Sequence, residues 1–205
     1  MKELKDKIEP GNEASFFQLV ALFAMTDRWC ERFRGHGITS VLELGMGDPL
    51  ALLSLAACLG VDHVEGYDAC SEEVGVARAK EKNHTLVGGT VKEMLQSFSA
   101  TMPQQCRSAF PEPQLYWEFD LLKQPLVPNR AGYDLVVMSN LLHYWARRER
   151  QHVLGQISDV LKSSRFVYIH VKEKSTVARA RNLNFEALRE DCDQLAQELQ
   201  LVHYG

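Results

Sequence analysis

The chain has 205 residues, a hydrophobic content of 45%, a charged content of 24% and a formal net charge of −4. These values are ordinary for one globular domain, or for one domain with an added arm, and they give no sign of general nucleic-acid affinity. The longest nearly apolar run, residues 50–61, is shorter than the roughly 20 residues that span a bilayer, and the first residues lack the apolar segment of a signal peptide. The five cysteines are scattered without a C-x-x-C pair, which predicts reduced thiols in a cytoplasmic protein and no metal site.

Hydrophobic periodicity and turn residues predict strands that alternate with helices. In chain order the predicted elements are a helix over 12–33, a strand over 38–44, a helix over 49–60, a strand over 63–68, helices over 71–83 and 90–99, strands over 114–120 and 133–140, a helix over 147–162, a strand over 165–171, a helix over 184–200 and the start of a sixth strand at 201–205. Asp48 and Ser71 are predicted to cap the helices that follow them.

This alternation predicts an α/β fold, with a doubly wound and mostly parallel sheet that carries helices on both faces. We expect an N-terminal helical arm over residues 1–37 and a second unit over 38–205, whose C-terminal sheet is shortened. In such sheets a ligand binds beyond the carboxyl ends of the strands, where the strand order reverses.

The stretch VLELGMGDPL (41–50) places two glycines directly after a predicted strand. Gly45 and Gly47 let the backbone approach a ligand closely, and the amides at the start of the next helix favour an anionic group. A dinucleotide-binding turn would have a third glycine at position 50, where this chain has Leu50. Taken alone, the two glycines fit either a ligand-binding turn or a tight turn without a ligand.

The segment VLELGMGDP resembles the first motif of class I S-adenosylmethionine-dependent methyltransferases, E/D-x-G-x-G-x-G, with Pro49 in place of the third glycine. Together with the later motifs, the resemblance covers residues 38–171. It implies a Rossmann-like fold and S-adenosylmethionine as the cofactor. It also implies that the loop of Gly45 and Gly47 surrounds the methionine part of the cofactor and that Glu43 supports it.

Two further acids are the last residues of predicted strands. Asp68, with the neighbouring Ala69, is implied by the resemblance to accept hydrogen bonds from the ribose hydroxyls, as acids do at this place in nucleotide-binding folds. The alternative is an aspartate that caps a helix. Asp120 with Leu121 is similar to a looser family pattern that binds the adenine edge, and an ordinary loop aspartate is the alternative.

The stretch DLVVMSNLLHYW (134–145) resembles the fourth motif of small-molecule methyltransferases. The resemblance implies that Ser139 and Asn140 border the cofactor, while His143 and Tyr144 face the substrate. His143 is a candidate general base because an imidazole titrates near neutral pH, although transfer to an already nucleophilic atom needs only alignment. The N-P-P-Y type of sequence that accompanies methylation of amide or nucleobase nitrogens is absent.

Two features bear on the substrate. The N-terminal helix is apolar, and Phe16 and Phe17 are candidate pocket residues because a helix ahead of the core forms part of a lid in related enzymes. Two basic clusters, Arg147-Arg148-Arg150 and Lys172-Lys174-Arg179-Arg181, either attract an anionic substrate or a carrier-protein partner, or form solvated helix faces.

The sequence therefore predicts an S-adenosylmethionine-dependent methyltransferase that acts on a small-molecule acceptor, either anionic or carrier-bound. One alternative is a non-catalytic, methyltransferase-like subunit of a complex. Another is a nicotinamide-dependent oxidoreductase, which Leu50 weakens. We expect a homodimer contact or a protein partner to protect the edge of the shortened sheet.

Overall fold

The structure is a computed structural model that describes residue 33 and residues 35–83, 86–101, 112–170 and 185–199. The strands are β1 (Ser40–Leu44), β2 (His63–Tyr67), β3 (Gln114–Tyr116), β4 (Leu135–Ser139) and β5 (Phe166–His170). The helices are α1 (Leu50–Leu59), α2 (Glu72–Lys82), α3 (Val91–Thr101), α4 (Arg147–Lys162) and α5 (Phe185–Glu198), and a 3₁₀ turn, Leu142–Tyr144, follows β4. Apart from β3, the predicted boundaries of these elements lie within about two residues of those observed.

The five strands form one parallel sheet in the order β3-β2-β1-β4-β5. Strand β1 is central, and its five residues Ser40 to Leu44 are almost completely buried. Such burial on both sides is typical of a parallel strand covered by helices. The predicted α/β class and doubly wound sheet are therefore confirmed.

Side chains on the two faces of the sheet pack into two separate hydrophobic clusters. On one face, Val41 and Val137 pack with Leu52 of α1. On the other face, Leu42 packs with a cluster that includes Ile157 of α4 and residues of α5. Helices therefore cover both faces, as the predicted fold requires.

The start of α1 differs slightly from its prediction. The helix begins at Leu50 with Pro49 in the N-cap position, rather than with Asp48 there. The Asp48 carboxylate still accepts the backbone N–H of Leu50, at 3.2 Å, so it binds one of the free amides at the helix start. The helix ends at Gly60, which adopts the left-handed conformation as expected.

Strand β3 is shorter than predicted. The chain leaves the sheet after Tyr116 because Glu118 has a φ of 56°, a left-handed conformation that no extended strand contains. The connection from residue 117 to residue 134 is fully described and contains no helix. An irregular segment therefore covers this part of the sheet, where a doubly wound fold commonly has a crossover helix.

A buried carboxyl group in β2 forms hydrogen bonds with this irregular connection. Glu65 is fully buried and accepts hydrogen bonds from the hydroxyl groups of Tyr67, at 2.6 Å, and of Tyr133. It also accepts the backbone N–H of Asn129, at 3.2 Å. These donors satisfy a carboxyl group that would be costly to bury without hydrogen bonds.

Several predictions fall on residues outside the described part of the chain. They are the helix over 12–33 with Phe16 and Phe17, the second basic cluster at 172–181 and the strand at 201–205. At the end of the predicted arm, the Phe33 ring packs edge-on against Phe166 of β5, with ring centroids 5.7 Å apart.

Candidate functional site

The carboxyl ends of the five strands define the edge at which the sequence places a ligand. From β1 the chain adds β2 and β3 on one side of the sheet, and it then adds β4 and β5 on the other side of β1. The strand order therefore reverses between β1 and β4. Ligands of doubly wound sheets bind at such a reversal. The segments after Leu44 and Ser139 meet there, and the segment after Tyr67 lies next to them.

The two glycines of the turn after β1 have different neighbours. Both are left-handed, with φ of 73° at Gly45 and 63° at Gly47. A Cβ atom on Gly45 would lie 2.4 Å from Cδ1 of Leu141, whereas the nearest heavy atom to a Cβ on Gly47 would be Nη1 of Arg78, at 3.8 Å. Gly45 is thus required by the chain's own packing, and Gly47 leaves room beside the turn.

The turn is bonded to the end of β2. The backbone carbonyl of Tyr67 accepts the N–H groups of Gly45 and Met46, at 2.8 and 3.2 Å. The Asp68 carboxylate accepts the N–H of Gly47 through Oδ2, at 2.7 Å, and that of Cys70 through Oδ1, at 2.8 Å. A carboxylate offers about four acceptor positions, so Asp68 keeps capacity for further donors.

The two residues that follow Asp68 have different surroundings. Ala69 is exposed. Burial, followed by a side-chain hydrogen bond with Asp68, raises the pKa of the Cys70 thiol to about 12. Cys70 is therefore a thiol at neutral pH, which makes it a poor nucleophile.

Glu43 is an acid within β1 that is only 2% exposed. Its Oε2 atom has no hydrogen-bond partner among the described residues. Burial raises its pKa well above the ordinary value, the carboxylates of Asp48 and Asp68 add to the rise, and Lys82 opposes it. Lys82 itself forms an ion pair with Asp48. The turn therefore has a buried carboxyl group that favours its protonated form.

The acid after β3 lies farther from the strand than predicted. Asp120 is four residues beyond the last strand residue, and its carboxylate accepts the N–H of Leu122, at 3.0 Å, and pairs with Lys123, at 2.8 Å. The Lys123 hydrogen bond and then the Leu122 amide hold the pKa of Asp120 below its usual range. Leu121 is 5% exposed and packs in the core.

Two other residues of this segment contact the end of β2. The backbone N–H groups of Glu118 and Phe119 bond to the carbonyls of Cys70 and Asp68, both at 2.9 Å. An open cleft of about 540 Å³ lies beside them, lined by Ser71, Glu72, Glu73, Gly89, Thr90, Trp117 and Glu118. Residue patterns do not report these contacts, because they are made by backbone atoms.

The segment after β4 turns sharply back towards the glycine turn. Asn140 has a φ of 55°, and its N–H bonds to the carbonyl of His170 at 2.7 Å. This turn carries Leu141 onto Gly45. Ser139 and Asn140 are thereby placed at the strand-order reversal, beside the glycine turn.

The two predicted substrate residues have very different exposures. His143 is 2% exposed, whereas Tyr144 is 45% exposed. Their rings are stacked, with centroids 4.5 Å apart. In this structure the phenol of Tyr144 is accessible to a substrate, while the imidazole of His143 is enclosed.

Comparisons with known proteins identify the fold. No protein-family model and no curated protein sequence matches the chain. Among solved structures, the methyltransferase domain of bacterial CtHen1 aligns with a TM-score of 0.54 and 15% identity over 87% of this chain and 85% of that domain. The mitomycin 7-O-methyltransferase MmcR aligns with a TM-score of 0.50 and 11% identity over 88% of this chain and 48% of that one.

A third similar structure is the O-methyltransferase family 2 protein from Planctomyces limnophilus in complex with apigenin. It aligns with a TM-score of 0.50 and 13% identity over 98% of this chain and 58% of that protein. The chain has the class I methyltransferase fold. It spans about half the length of these two O-methyltransferases.

Within this class I methyltransferase fold, the first basic cluster has a structural position that the sequence did not indicate. Arg150 is 2% exposed and donates to Asp191 of α5 at 3.0 and 2.8 Å. Arg147 bonds to Asp191 and Glu190, both at 3.2 Å. These two arginines therefore tie α4 to α5 and do not form a free basic surface, while Arg148 is exposed.

Two features of the carboxyl edge of the sheet were missed by sequence reasoning. Arg78 of α2 lies beside Gly47, and His170 ends β5 next to Ser139. A helical spacing from Lys82 could have pointed to Arg78, since residues four apart share a helix face. Within the described residues no helix is long and apolar enough to cross a membrane, and no group of three or more metal-binding side chains is found.

Proposed function

We propose that the chain binds S-adenosylmethionine at the carboxyl edge of its sheet and transfers the methyl group to a small-molecule acceptor. The observation that carries the proposal is the bond from Gly47 N–H to the Asp68 carboxylate at the strand-order reversal. It joins a glycine turn to a strand-terminal acid, the pair of features with which such folds bind nucleosides.

The residues present fit this cofactor. Gly47 leaves room beside the turn, and Glu43 has a buried oxygen without a hydrogen-bond partner in the described part of the chain. A ligand with hydroxyl groups and an ammonium group offers donors for Asp68 and Glu43, and the positive charge of the ammonium group would favour the ionised form of the buried Glu43 carboxyl. When bound, the cofactor supplies an electrophilic methyl group on a sulfonium.

Each predicted site residue has a role in this proposal. Asp68 accepts the ribose hydroxyls while Gly47 and Cys70 hold its carboxylate in place. Glu43, Gly45 and Gly47 surround the methionine part, and Ser139 and Asn140 border it on the β4 side. Ala69 is proposed beside the ribose with Asp68. Asp120 and Leu121 are proposed for the adenine side, although the bonds of Asp120 and the burial of Leu121 lend this part the least support.

The acceptor side comprises His143 and Tyr144, together with Phe16 and Phe17 of the arm, residues 1–37. Exposed Tyr144 is the described member best placed to contact an acceptor. Because Arg147 and Arg150 bind α5, an anionic or carrier-bound acceptor would depend on Arg148 and the cluster at 172–181. We place the protein in the cytoplasm, where thiols such as Cys70 and Cys192 stay reduced.

Calorimetry with S-adenosylhomocysteine tests the cofactor. We expect Asp68→Ala to weaken binding by about tenfold or more, because the ribose and the Gly47 amide both lose an acceptor. Asp62→Ala, an exposed aspartate at the opposite end of β2, is the matched control and should bind normally. No binding of S-adenosylhomocysteine or S-adenosylmethionine to the wild-type chain would contradict the proposal.

Calorimetry with NAD and activity measurements on variants separate the alternatives. Binding of NAD in place of S-adenosylhomocysteine would favour the oxidoreductase. A stable complex whose activity survives Glu43→Ala and Asp68→Ala would favour a non-catalytic subunit. Mass spectrometry of ligands that co-purify with the protein would then identify the acceptor.

A further inference from the structure

The site edge contains two histidines that differ in accessibility. His143 is 2% exposed, whereas His170, at the carboxyl end of β5, is partly exposed. A general base must come within about 2.6–3.2 Å of the proton that it accepts. An acceptor can approach a partly exposed residue more closely than an enclosed one, so His170 is better placed than His143 to accept its proton.

The sheet register fixes the position of His170. In the pairing of β4 with β5, Val137 lies opposite Tyr168 and Ser139 lies opposite His170. Val137 also lies opposite Glu43 of β1. Glu43, Val137 and Tyr168 therefore lie side by side in one row across the sheet. Because side chains alternate between faces along a strand, Ser139 and His170 form the next row on the same face, at the carboxyl edge.

Local contacts hold His170 at this position. The Ser139 hydroxyl oxygen lies 3.5 Å from Nδ1 of His170, which confirms that the two side chains are neighbours. The Asn140 N–H bonds to the His170 carbonyl at 2.7 Å. The residue is therefore anchored to the segment that also carries Leu141 onto the glycine turn.

The order of the strands gives His170 a defined side of the site. Asp68 and Gly47 lie at the ends of β2 and β1, and β4 separates these strands from β5. A ligand held by Asp68 and Gly47 thus leaves the β4–β5 side for the second substrate. His170 stands on that side, beside Ser139.

We infer that His170 is the proton-accepting residue for a hydroxyl-bearing methyl acceptor. As the acceptor oxygen bonds to the methyl carbon, the carbon–sulfur bond breaks and its electron pair stays on sulfur. The hydroxyl proton passes to an imidazole nitrogen of His170, so one positive charge moves from sulfur to the ring. The inference rests on the proposed function, because it requires the cofactor to be bound on the β1–β2 side.

An NMR titration tests this placement without an identified acceptor. The histidine ring signals are followed against pH in complexes with S-adenosylhomocysteine and with sinefungin, in which an ammonium-bearing carbon replaces the methyl-bearing sulfonium. The added charge stands near the position of the transferred methyl group. We expect the pKa of His170 to be lower by about one unit in the sinefungin complex, because nearby like charges disfavour the protonated ring.

His152, an exposed residue on α4 that contacts Gln156, is the internal control and should titrate alike in both complexes. We also expect His170→Gln to keep its affinity for S-adenosylhomocysteine within about twofold. Equal His170 pKa values in the two complexes, or a shift confined to His143, would overturn the inference alone. If neither ligand binds, the proposed function fails and the inference fails with it.

Discussion

At the scale of single residues, the glycine turn combines two separate requirements. Gly45 makes room for Leu141, and Gly47 makes room beside the turn where a ligand is proposed. A sequence motif cannot distinguish these requirements, because both appear as glycine. The difference becomes visible only when the segment after β4 is placed against the turn after β1.

This difference predicts unequal effects of alanine at the two positions. Gly45→Ala should cost about 2–4 kcal/mol of unfolding free energy, since left-handed strain adds to a clash with Leu141. Gly47→Ala, the matched control, should cost only the strain, about 1–2 kcal/mol. Urea denaturation of these two variants, of Leu141→Ala and of the double variant Gly45→Ala/Leu141→Ala gives their unfolding free energies. Together these values measure the coupling energy between positions 45 and 141. Additive effects of Gly45→Ala and Leu141→Ala would contradict this explanation.

The buried Glu43 predicts an unusual dependence of stability on pH. Its folded-state pKa lies well above the ordinary value of 4.5, so the folded protein holds a proton that the unfolded chain releases. The stabilising contribution is therefore present at low pH and is lost as the pH rises from about 4.5 to the folded-state value.

Glu43→Gln removes this titration. We expect the variant to gain stability relative to the wild type as the pH rises, by up to about 1.4 kcal/mol per pH unit within that window. Denaturation curves between pH 5 and 8 measure the difference, with Glu81→Gln, an exposed carboxylate on α2, as the control. Parallel curves for Glu43→Gln and the wild type would show that Glu43 is ionised in the folded protein.

At the scale of elements, α4 and α5 are joined by charged side chains inside the protein. Arg150 and Asp191 are 2% and 4% exposed, and two bonds connect their side chains. A buried pair of this kind adds little net stability compared with apolar residues, but the loss of one partner leaves an uncompensated charge. The contact therefore determines how α5 packs against α4.

We predict that Asp191→Ala destabilises the fold by about 3–5 kcal/mol, because Arg150 remains buried without its partner. Asp193→Ala is the matched control from the same helix. Asp193 faces an exposed Arg189 at 3.9 Å, a pair worth about 1 kcal/mol or less. Chemical denaturation of both variants compares them, and a similar small cost for the two would contradict the structural role of Asp191.

The same helices illustrate where sequence patterns succeed and fail. The amphipathic pattern over 147–162 predicts the bounds of α4, because apolar spacing reports one covered face. The pattern also identifies Arg147-Arg148-Arg150 as a basic cluster but gives no information on Asp191, 41 positions beyond Arg150. Ion pairs between distant residues depend on tertiary packing, which local spacing does not encode.

At the scale of the whole molecule, the alternation of strands and helices predicted the fold class and the sheet edge at which we propose the site. The predicted strand over 114–120 was too long, since nothing in QLYWEFD marks the left-handed turn at Glu118. Asp68 was placed at a strand end by its sequence position, and the structure adds its bond to Gly47. The position of His170 beside Ser139 arises from strand pairing, and no motif contains both residues.

The central position of β1 has a consequence for the chain while it is being synthesised. Its two neighbours end at Tyr67 and at Ser139, so the second emerges about 70 residues after the first. At roughly 5–20 residues per second, this delay lasts about 4–14 seconds. During that time one edge of β1 has no partner strand, and unpaired strand edges attract chaperones and other chains. Because Gly45 packs on Leu141, the glycine turn also takes its final form only after β4 has left the ribosome.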